Sequence, residues 1–307
     1  MARPIRNAST ISVNANGTPG ELQVYIAGRP LQVSRTGSNL PDVPLPETCP
    51  KCAEQVRPEA AREHLYVCAC GYHHEINPAT WIALLSSPGS WQEHWSELRP
   101  TDRLQWTAPR SYGSMLEQAH ARGLNEAVRT GTCRIEHHSV WLAVFDFGFM
   151  GGTIGLVAGE RLALAIEDAT RLAMPFLLVC ASGGARMQEG VPALMQMAKV
   201  NAALTRLADA RVPYLTILTD PTFGGTAASL ALLGDVNLAE PQARIGFTGP
   251  RVIQQATHAT LPIGFQSAEF QLDHGQIDMI VPRSRLRGTI VRLLDFLSSE
   301  RRGPLIK

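Results

Sequence analysis

The sequence predicts a layered α/β fold, on the strength of one pattern that recurs three times between Val140 and Gly234. Each repeat is a strand-like apolar run, then a pair of glycines, then a helical stretch. Val140 to Phe147 leads to Gly151 and Gly152 and to a helix near Gly159 to Leu172. Phe176 to Cys180 leads to Gly183 and Gly184 and a helical pattern beyond them. Pro213 to Asp220 leads to Gly224 and Gly225 and a small-residue helix over Thr226 to Leu233. Strands alternating with helices at this spacing are the mark of crossover connections in a layered sheet. The second observation is negative. None of the three loops reads G-x-G-x-x-G or G-x-x-x-x-G-K-[ST], so dinucleotide and P-loop readings lose their main support.

The third observation concerns what such loops do. One glycine pair by itself makes a turn. Three pairs at equivalent positions point instead to peptide N–H groups left open at strand exits, where no Cβ blocks a ligand. A helix starting just behind each loop adds partial positive charge at the same place. A pocket of this kind suits a developing oxyanion.

At 307 residues and a net charge of +1, the chain has room for about two domains and no global case for nucleic acid or anionic membrane. The opening MARPIRNAST lacks the apolar core of a signal peptide, and no apolar run reaches spanning length. A soluble cytoplasmic protein is expected.

Residues 1–48 read as an N-terminal extension: Leu22, Val24 and Ile26 alternate with polar neighbours and turn at Gly28-Arg29-Pro30, a small hairpin, and Ser34 to Glu47 is a linker. Residues 49–77 carry the metal signal. Cys49 and Cys52 form a C-x-x-C, and Cys68 follows after 15 intervening residues. A second C-x-x-C would complete a four-cysteine zinc ribbon, but Cys68-Ala69-Cys70 is one residue shorter. Cys70 is favoured as the fourth ligand over a nitrogen of His73 or His74. A ribbon that has lost its metal and a disulfide pair are the alternatives, the second at odds with a reducing compartment. Cys133 and Cys180 sit in apolar runs and read as core filling.

Residues 78–130 read as a helical connector, with Trp81, Leu84 and Leu85 on one amphipathic turn and Trp91 and Trp95 four apart and facing one way. Residues 131–300 form the strand-rich domain. Within it, Val191, Leu194, Met195, Ala198 and Ala202 make one apolar helical stripe, which reads with Met187 and Met197 as core or interface. Arg186 follows a glycine loop directly, and either meets an anion there or pairs with Glu189 to fix the loop. Asp220 and Asp235 read as capping or turn residues. Ser284 to Leu297 is an amphipathic helix. No Ser-His-Asp or Cys-His order and no H-E-x-x-H stands out, so the sequence offers backbone electrostatics without an obvious side-chain base.

From about Cys49 to Leu297 the chain resembles the β subunits of bacterial acetyl-CoA carboxylase carboxyltransferase, through FDFGFMGGTIG, ASGGARMQEG, ALMQMAK, LTDPTFGG, LLGDVNLAEPQARIGFTGPRVI and HGQIDMIVP. The resemblance implies a crotonase-like spiral of β-β-α units preceded by a small zinc ribbon with structural Zn2+. It implies transfer of a carboxyl group from carboxybiotin, on biotin carboxyl carrier protein, to acetyl-CoA, giving malonyl-CoA, with biotin taking the proton. By the same resemblance Gly224 and Gly225 form the oxyanion hole for the thioester enolate. Gly183, Gly184, Gly151 and Gly152 line the substrate pocket, and Arg186 holds its loop or contacts CoA. It further implies a separate α subunit in an α2β2 assembly, with biotin carboxylase an indirect partner and no membrane.

The chain also departs from that pattern. Gly71 stands where a last cysteine is expected, GGTIGLVAGE where the family reads GGSMGSVVGE, and GGTAASLALLGD where it reads GGVSASFAMLGD. These differences point to a divergent paralogue, for a dedicated biosynthetic or resistance pathway. Other readings are a subunit acting on another acyl-CoA, a malonyl-decarboxylating relative, and a non-catalytic scaffold. A nucleic-acid-binding ribbon is disfavoured, because Lys51, Arg57 and Arg62 are offset by Glu54, Glu59, Glu63 and Glu75.

Overall fold

The computed structural model describes residues 40–258 and 260–299, so the hairpin expected near Leu22 to Val33 and the first part of the linker lie outside the described residues. The cysteine segment comes first. Two short turns, each closed by an isolated antiparallel bridge (Thr48 with Gln55, Val67 with His73), flank helix α1, Pro58–Glu63. Helix α2, Pro78–Leu85, starts where the Asn77 side chain accepts the Thr80 N–H and Pro78 takes the first turn; it buries Trp81, Ile82, Leu84 and Leu85.

The expected helical connector also contains a strand, β1 (Gln92–His94), before helix α3 (Tyr112–Ala121). Trp91 and Trp95 flank β1 and do not face one way. Trp95 adopts a positive φ of 56° and stacks on Trp141, with ring centroids 5.3 Å apart, whereas Trp91 packs toward the opposite core. The helical spacing fails here because three residues of the stretch pair with a neighbouring strand instead.

Strands β2 (Val128–Ile135) and β3 (His138–Phe145) form a hairpin. Beyond it come α4 (Leu156–Arg171), β4 (Phe176–Ser182), α5 (Val191–Asp209) and β5 (Tyr214–Thr222). Next are the short α6 (Gly224–Thr226), running on in wide π-type turns over Ala227–Ala231, and β6 (Val236–Ala239). Helices α7 (Pro250–Thr257) and α8 (Ala268–Asp273), strand β7 (Met279–Ile280) and helix α9 (Arg283–Ser299) complete the described chain. The seven strands form one sheet in sequence order, antiparallel from β1 to β3 and parallel from β3 to β7. Among the described residues no helix is long and apolar enough to cross a membrane.

Successive strand residues point to opposite faces, and in the central strands both faces are buried. Phe176, Leu178 and Cys180 of β4 join one core with Ala158, Leu162 and Ile166 of α4 and Val200 and Leu204 of α5. Leu177 and Val179 join the other with Trp81 and Leu85 of α2 and Leu286, Ile290 and Leu294 of α9. Cys133 and Cys180 are buried in these cores, as their apolar settings predict. Apolar residues therefore run unbroken over residues 140–145 and 176–181, and with one threonine over residues 214–218.

After β3, β4 and β6, and at the end of β5, the chain forms a second, shorter extended piece before its helix. These pieces pair with one another: Ile154 bridges Ala185, and Thr222 bridges Ile245, both in parallel. Main strand, short strand and helix make each unit a β-β-α turn of a spiral, the architecture the resemblance implies.

The cysteine segment is tied to this body by Arg283 at the start of α9. Its guanidinium meets both oxygens of Glu240, at 2.6 and 2.8 Å, and donates to the carbonyls of Leu65 at 3.0 Å and His74 at 3.1 Å. Both partners of the pair are nearly sealed from solvent, at 2% and 3% exposed. Removing one partner of such a pair strands a buried charge. Replacing Glu240 with Ala should cost about 3–5 kcal/mol in urea unfolding. Replacing Glu167 with Ala, whose pair with Arg206 is about half exposed, should cost no more than about 1 kcal/mol.

Candidate active site

The three glycine pairs meet at the carboxyl ends of β3, β4 and β5, where the short strands pair. Backbone approaches backbone here too closely for any side chain. A methyl group built on Gly152 would stand 2.0 Å from the Ala181 carbonyl oxygen, and one on Gly224 would stand 3.0 Å from the Gly184 Cα and 3.1 Å from the Gly183 oxygen. Gly152, Gly184 and Gly224 also have φ of 62°, 114° and 66°, a region that glycine enters without strain.

Two buried hydroxyls bind the loops together. Ser182 Oγ donates to the Gly152 carbonyl at 2.6 Å, accepts the Gly184 N–H at 3.1 Å, and lies 2.8 Å from Thr226 Oγ1. Thr226 lies directly behind the third glycine pair. One hydroxyl pair therefore reaches all three loops.

This pairing decides which amides remain open. The Gly183 N–H donates to Gly151 O at 2.8 Å, the Gly152 N–H to Phe149 O at 3.0 Å, and the Gly224 N–H to Phe247 O at 2.8 Å. With Gly184 held by Ser182, four of the expected donors are engaged internally. Gly224, expected as an oxyanion donor beside Gly225, is one of the four, because its N–H is spent on the Phe247 carbonyl just beyond the Thr222–Ile245 bridge. The Gly225 N–H differs. It sits in the first turn of α6, and among the described residues no acceptor is recorded for it. First-turn amides have no partner within their own helix. Gly225 is half-buried and Gly183 exposed, so the junction reaches the protein surface.

Arg186 lies beneath these loops and not at their surface. Its side chain is 0% exposed, which removes it from contact with a ligand in this chain. The guanidinium pairs with Glu126, which is equally buried, and with Glu189 at 3.2 Å. It also donates to the Thr153 carbonyl at 2.6 Å and lies over the Phe149 ring at 5.0 Å. Tyr112 donates to Glu189 at 2.5 Å, and the other oxygen of Glu189 accepts the Leu156 N–H at the start of α4. Burial works against the arginine's charge, but Glu126, Tyr112 and Glu189 outweigh it and raise the pKa. Burial likewise raises the Tyr112 pKa, keeping the phenol a donor. Of the two sequence readings of Arg186, its pairing with Glu189 is the one observed. Glu126 and Tyr112 were not legible in the sequence, since neither lies in a glycine motif.

The apolar stripe expected on α5 faces outward. Val191, Leu194 and Met195 are 67%, 54% and 58% exposed, and Met187 is 68% exposed. The buried face is instead Ala193, Gln196, Val200, Ala203, Leu204 and Leu207. α4 packs closely against this face around Gln196, where a methyl on Gly159 of α4 would stand 2.4 Å from Gln196 Cβ. Asp220 and Asp235 hold backbone as expected, accepting the N–H of Arg244 and of Tyr214.

The second site is the cysteine cluster. The four sulfurs of Cys49, Cys52, Cys68 and Cys70 all lie within 4.8 Å of one another. Cys49 to Cys70 and Cys52 to Cys68 are both 3.7 Å. Four sulfurs at about 2.3 Å from a zinc ion stand about 3.8 Å apart at tetrahedral corners, so the donor set and spacing fit zinc. The short C-x-C knuckle closes through a tight turn in which the Gly71 N–H reaches Cys68 O and the Cys68 N–H reaches Tyr72 O, both at 2.8 Å. His73 is turned elsewhere, with Nδ1 3.1 Å from Gly71 O and Nε2 3.4 Å from the Arg283 nitrogen; His74 is buried. Burial opposes ionisation at Cys49, but hydrogen bonds from the Cys52 and Lys51 backbone prevail and bring its thiol down to about 7.

Residues 109–266 match the family described as carboxyl transferase domain. The chain is 47% identical over 257 residues to acetyl-coenzyme A carboxylase carboxyl transferase subunit beta 2 of Roseiflexus castenholzii, covering 83% of this chain and 85% of that protein. It is 48% identical over 248 residues to the corresponding subunit beta of Synechococcus sp. strain CC9605, covering 80% and 85%. Among solved structures, the transcarboxylase 12S core with methylmalonyl-coenzyme A bound superposes with a TM-score of 0.61 at 26% identity, over 72% of this chain and 42% of that one. A Pseudomonas malonate decarboxylase hetero-tetramer, at 23% identity and a TM-score of 0.56 over 73% and 82%, shares the fold. By family match, sequence identity and architecture together, this chain belongs to the carboxyl transferase family, among the β subunits of acetyl-CoA carboxylase.

Proposed function

We propose that the chain carries half of a carboxyltransferase site, in which the Gly225 N–H stabilises the enolate of acetyl-CoA while a separate α subunit supplies the biotin side. The observation that carries this reading is the open first-turn amide of α6 at the junction of three glycine loops, in a chain whose relatives carry the acetyl-CoA carboxylase name.

Biotin, held on its carrier protein, would supply the carboxyl group and the base. The chain's own task is then electrostatic. The hydroxyls of Ser182 and Thr226 and the guanidinium of Arg186 are all engaged internally, which leaves peptide dipoles to meet developing charge. Gly225 is aimed by its neighbours: Gly224 is pinned to Phe247, and the Met197 side chain packs where a Gly225 side chain would lie. A preorganised donor of this kind contributes about 3 kcal/mol, some hundredfold in rate. Gly151 and Gly183 leave the backbone open to a thioester and its pantetheine arm, while Gly152 and Gly184 shape the pocket by letting the loops close against each other.

The exposed α5 stripe supports a partner at this face. Leu104, itself 54% exposed, lies close to Gly190, so Leu104, Met187, Val191, Leu194 and Met195 cluster at the start of α5 beside the second glycine loop. Apolar residues gathered in this way mark association surfaces. We assign this face to the α subunit, in an α2β2 assembly, and the four-cysteine site to structural zinc.

The assay is malonyl-CoA-dependent carboxylation of biotin by the chain co-purified with an α subunit. Gly225→Val places its side chain against Met197 and should lower turnover by about a hundredfold or more, with zinc content and α-subunit co-purification unchanged. Normal turnover in that variant would remove the oxyanion role. At the ribbon, Cys70→Ser should reduce bound zinc measured by atomic absorption, while His73→Ala should retain it; the reverse result would move the fourth ligand to histidine.

A further inference from the structure

A second group of metal-ligating side chains lies at the other end of the sheet. The glycine loops follow the carboxyl ends of the parallel strands; His137 and His138 stand at the start of β3, where it leaves β2. Nε2 of His137 and Nε2 of His138 each lie 2.8 Å from the same Oδ1 of Asp295 on α9. Three potential ligand atoms, from two distant parts of the chain, therefore converge within 4.8 Å.

Adjacent residues in a strand point to opposite faces, so two neighbouring histidines do not normally share a target. The turn makes them share one. Ile135 pairs with His138 across a two-residue turn formed by Glu136 and His137, with Glu136 at a φ of 52°. That turn brings the two rings to 4.1 Å between centroids. Both sides of the group are anchored: Ile135 and Val140 flank the turn at 0% exposed, and Leu294, next to Asp295, is also 0% exposed. His137 and Asp295 remain open to solvent, at 66% and 51% exposed. The ligands are held, yet an ion can reach them.

We propose that His137, His138 and Asp295 form a surface site for a divalent transition-metal ion, which would clamp the tip of the β2–β3 hairpin to α9. Neutral imidazole and carboxylate together suit zinc, nickel or copper and do not suit magnesium or calcium. Each imidazole would bind through Nε2 after its proton moves to Nδ1, and Asp295 would turn from hydrogen-bond acceptor to ligand. Three protein ligands leave a coordination position for water. The bridge would join residues 157 and 158 positions apart in the chain, and an ion that binds only the folded state stabilises it by mass action.

The test uses the full chain, without a purification tag and with its cysteine site already loaded with zinc. Titration with nickel chloride, followed by calorimetry and by thermal unfolding, should reveal one further equivalent and a nickel-dependent rise in Tm. His137→Ala and Asp295→Asn should each weaken that equivalent by about tenfold or more and abolish the rise, with cysteine-bound zinc unchanged. Comparing Tm with and without nickel within each variant separates ligand loss from any effect on the fold. Absence of the equivalent in the unaltered chain, or its persistence in both variants, would overturn the proposal.

Discussion

One buried arginine sets the positions of the loops on which this protein depends. Arg186 meets two carboxylates, a phenol and a carbonyl, and these belong to separate stretches of chain: Glu126 before β2, Tyr112 on α3, Thr153 before α4, and Glu189 before α5. One guanidinium against two carboxylates leaves an excess of negative charge. The deficit is met at Glu189, whose second oxygen accepts the Leu156 N–H, where α4 offers about half a positive charge from its dipole. Gly155 leaves room for this, since a methyl there would stand 2.6 Å from Glu189 and 2.7 Å from Arg186. Lysine would not replace the arginine, because a single ammonium lacks the planar fork that reaches four partners at once.

With the loops fixed from below, the surface above them is built from backbone alone. Closing the loops into a small second sheet uses up most of their amides. The Gly183, Gly152 and Gly224 N–H groups hold the scaffold and are therefore not available to substrate. The Gly225 N–H, in the first turn of α6, lies outside these loop-to-loop hydrogen bonds, which is why the proposed enolate contact falls on it. Among the described residues, then, Gly152, Gly184 and Gly224 allow close approach and positive φ, and Gly225 keeps its N–H out of the loop-to-loop bonding.

This division explains how much could be read from the sequence. Strand, glycine pair and helix are local patterns, so three units of the spiral, both core cysteines and the four-cysteine cluster follow from spacing. The ion cluster does not, because Glu126 and Tyr112 lie 60 and 74 positions from Arg186. The α5 stripe was legible as a stripe, but periodicity does not say which side faces the core. Ala193, Gln196 and Ala203 turn inward together with Val200, Leu204 and Leu207, and α4 comes closest at Gly159, against Gln196. Trp91 and Trp95 misled for a related reason: spacing by four fits a helix only where the backbone is not claimed by a strand, and β1 pairs with β2. At His137 and His138 nothing in the neighbouring sequence announces an aspartate at position 295.

Arg283 repeats the logic of Arg186 on the opposite face of the sheet. It too combines a carboxylate, here Glu240, with backbone carbonyls, and it too is covered by an aromatic ring, with Trp81 at 5.0 Å. The carbonyls it holds belong to Leu65, Tyr66 and His74, the residues that flank the second cysteine knuckle. The knuckle is one residue shorter than a C-x-x-C, so its own loop offers less freedom to bring Cys70 into place. The body of the protein restores what the short loop lacks, because the chain on both sides of Cys68 and Cys70 is fixed from outside. Cys70 can then complete the tetrahedral spacing with no help from His73, whose ring is committed to Gly71 and Arg283. In both places a buried guanidinium gathers distant backbone around a site.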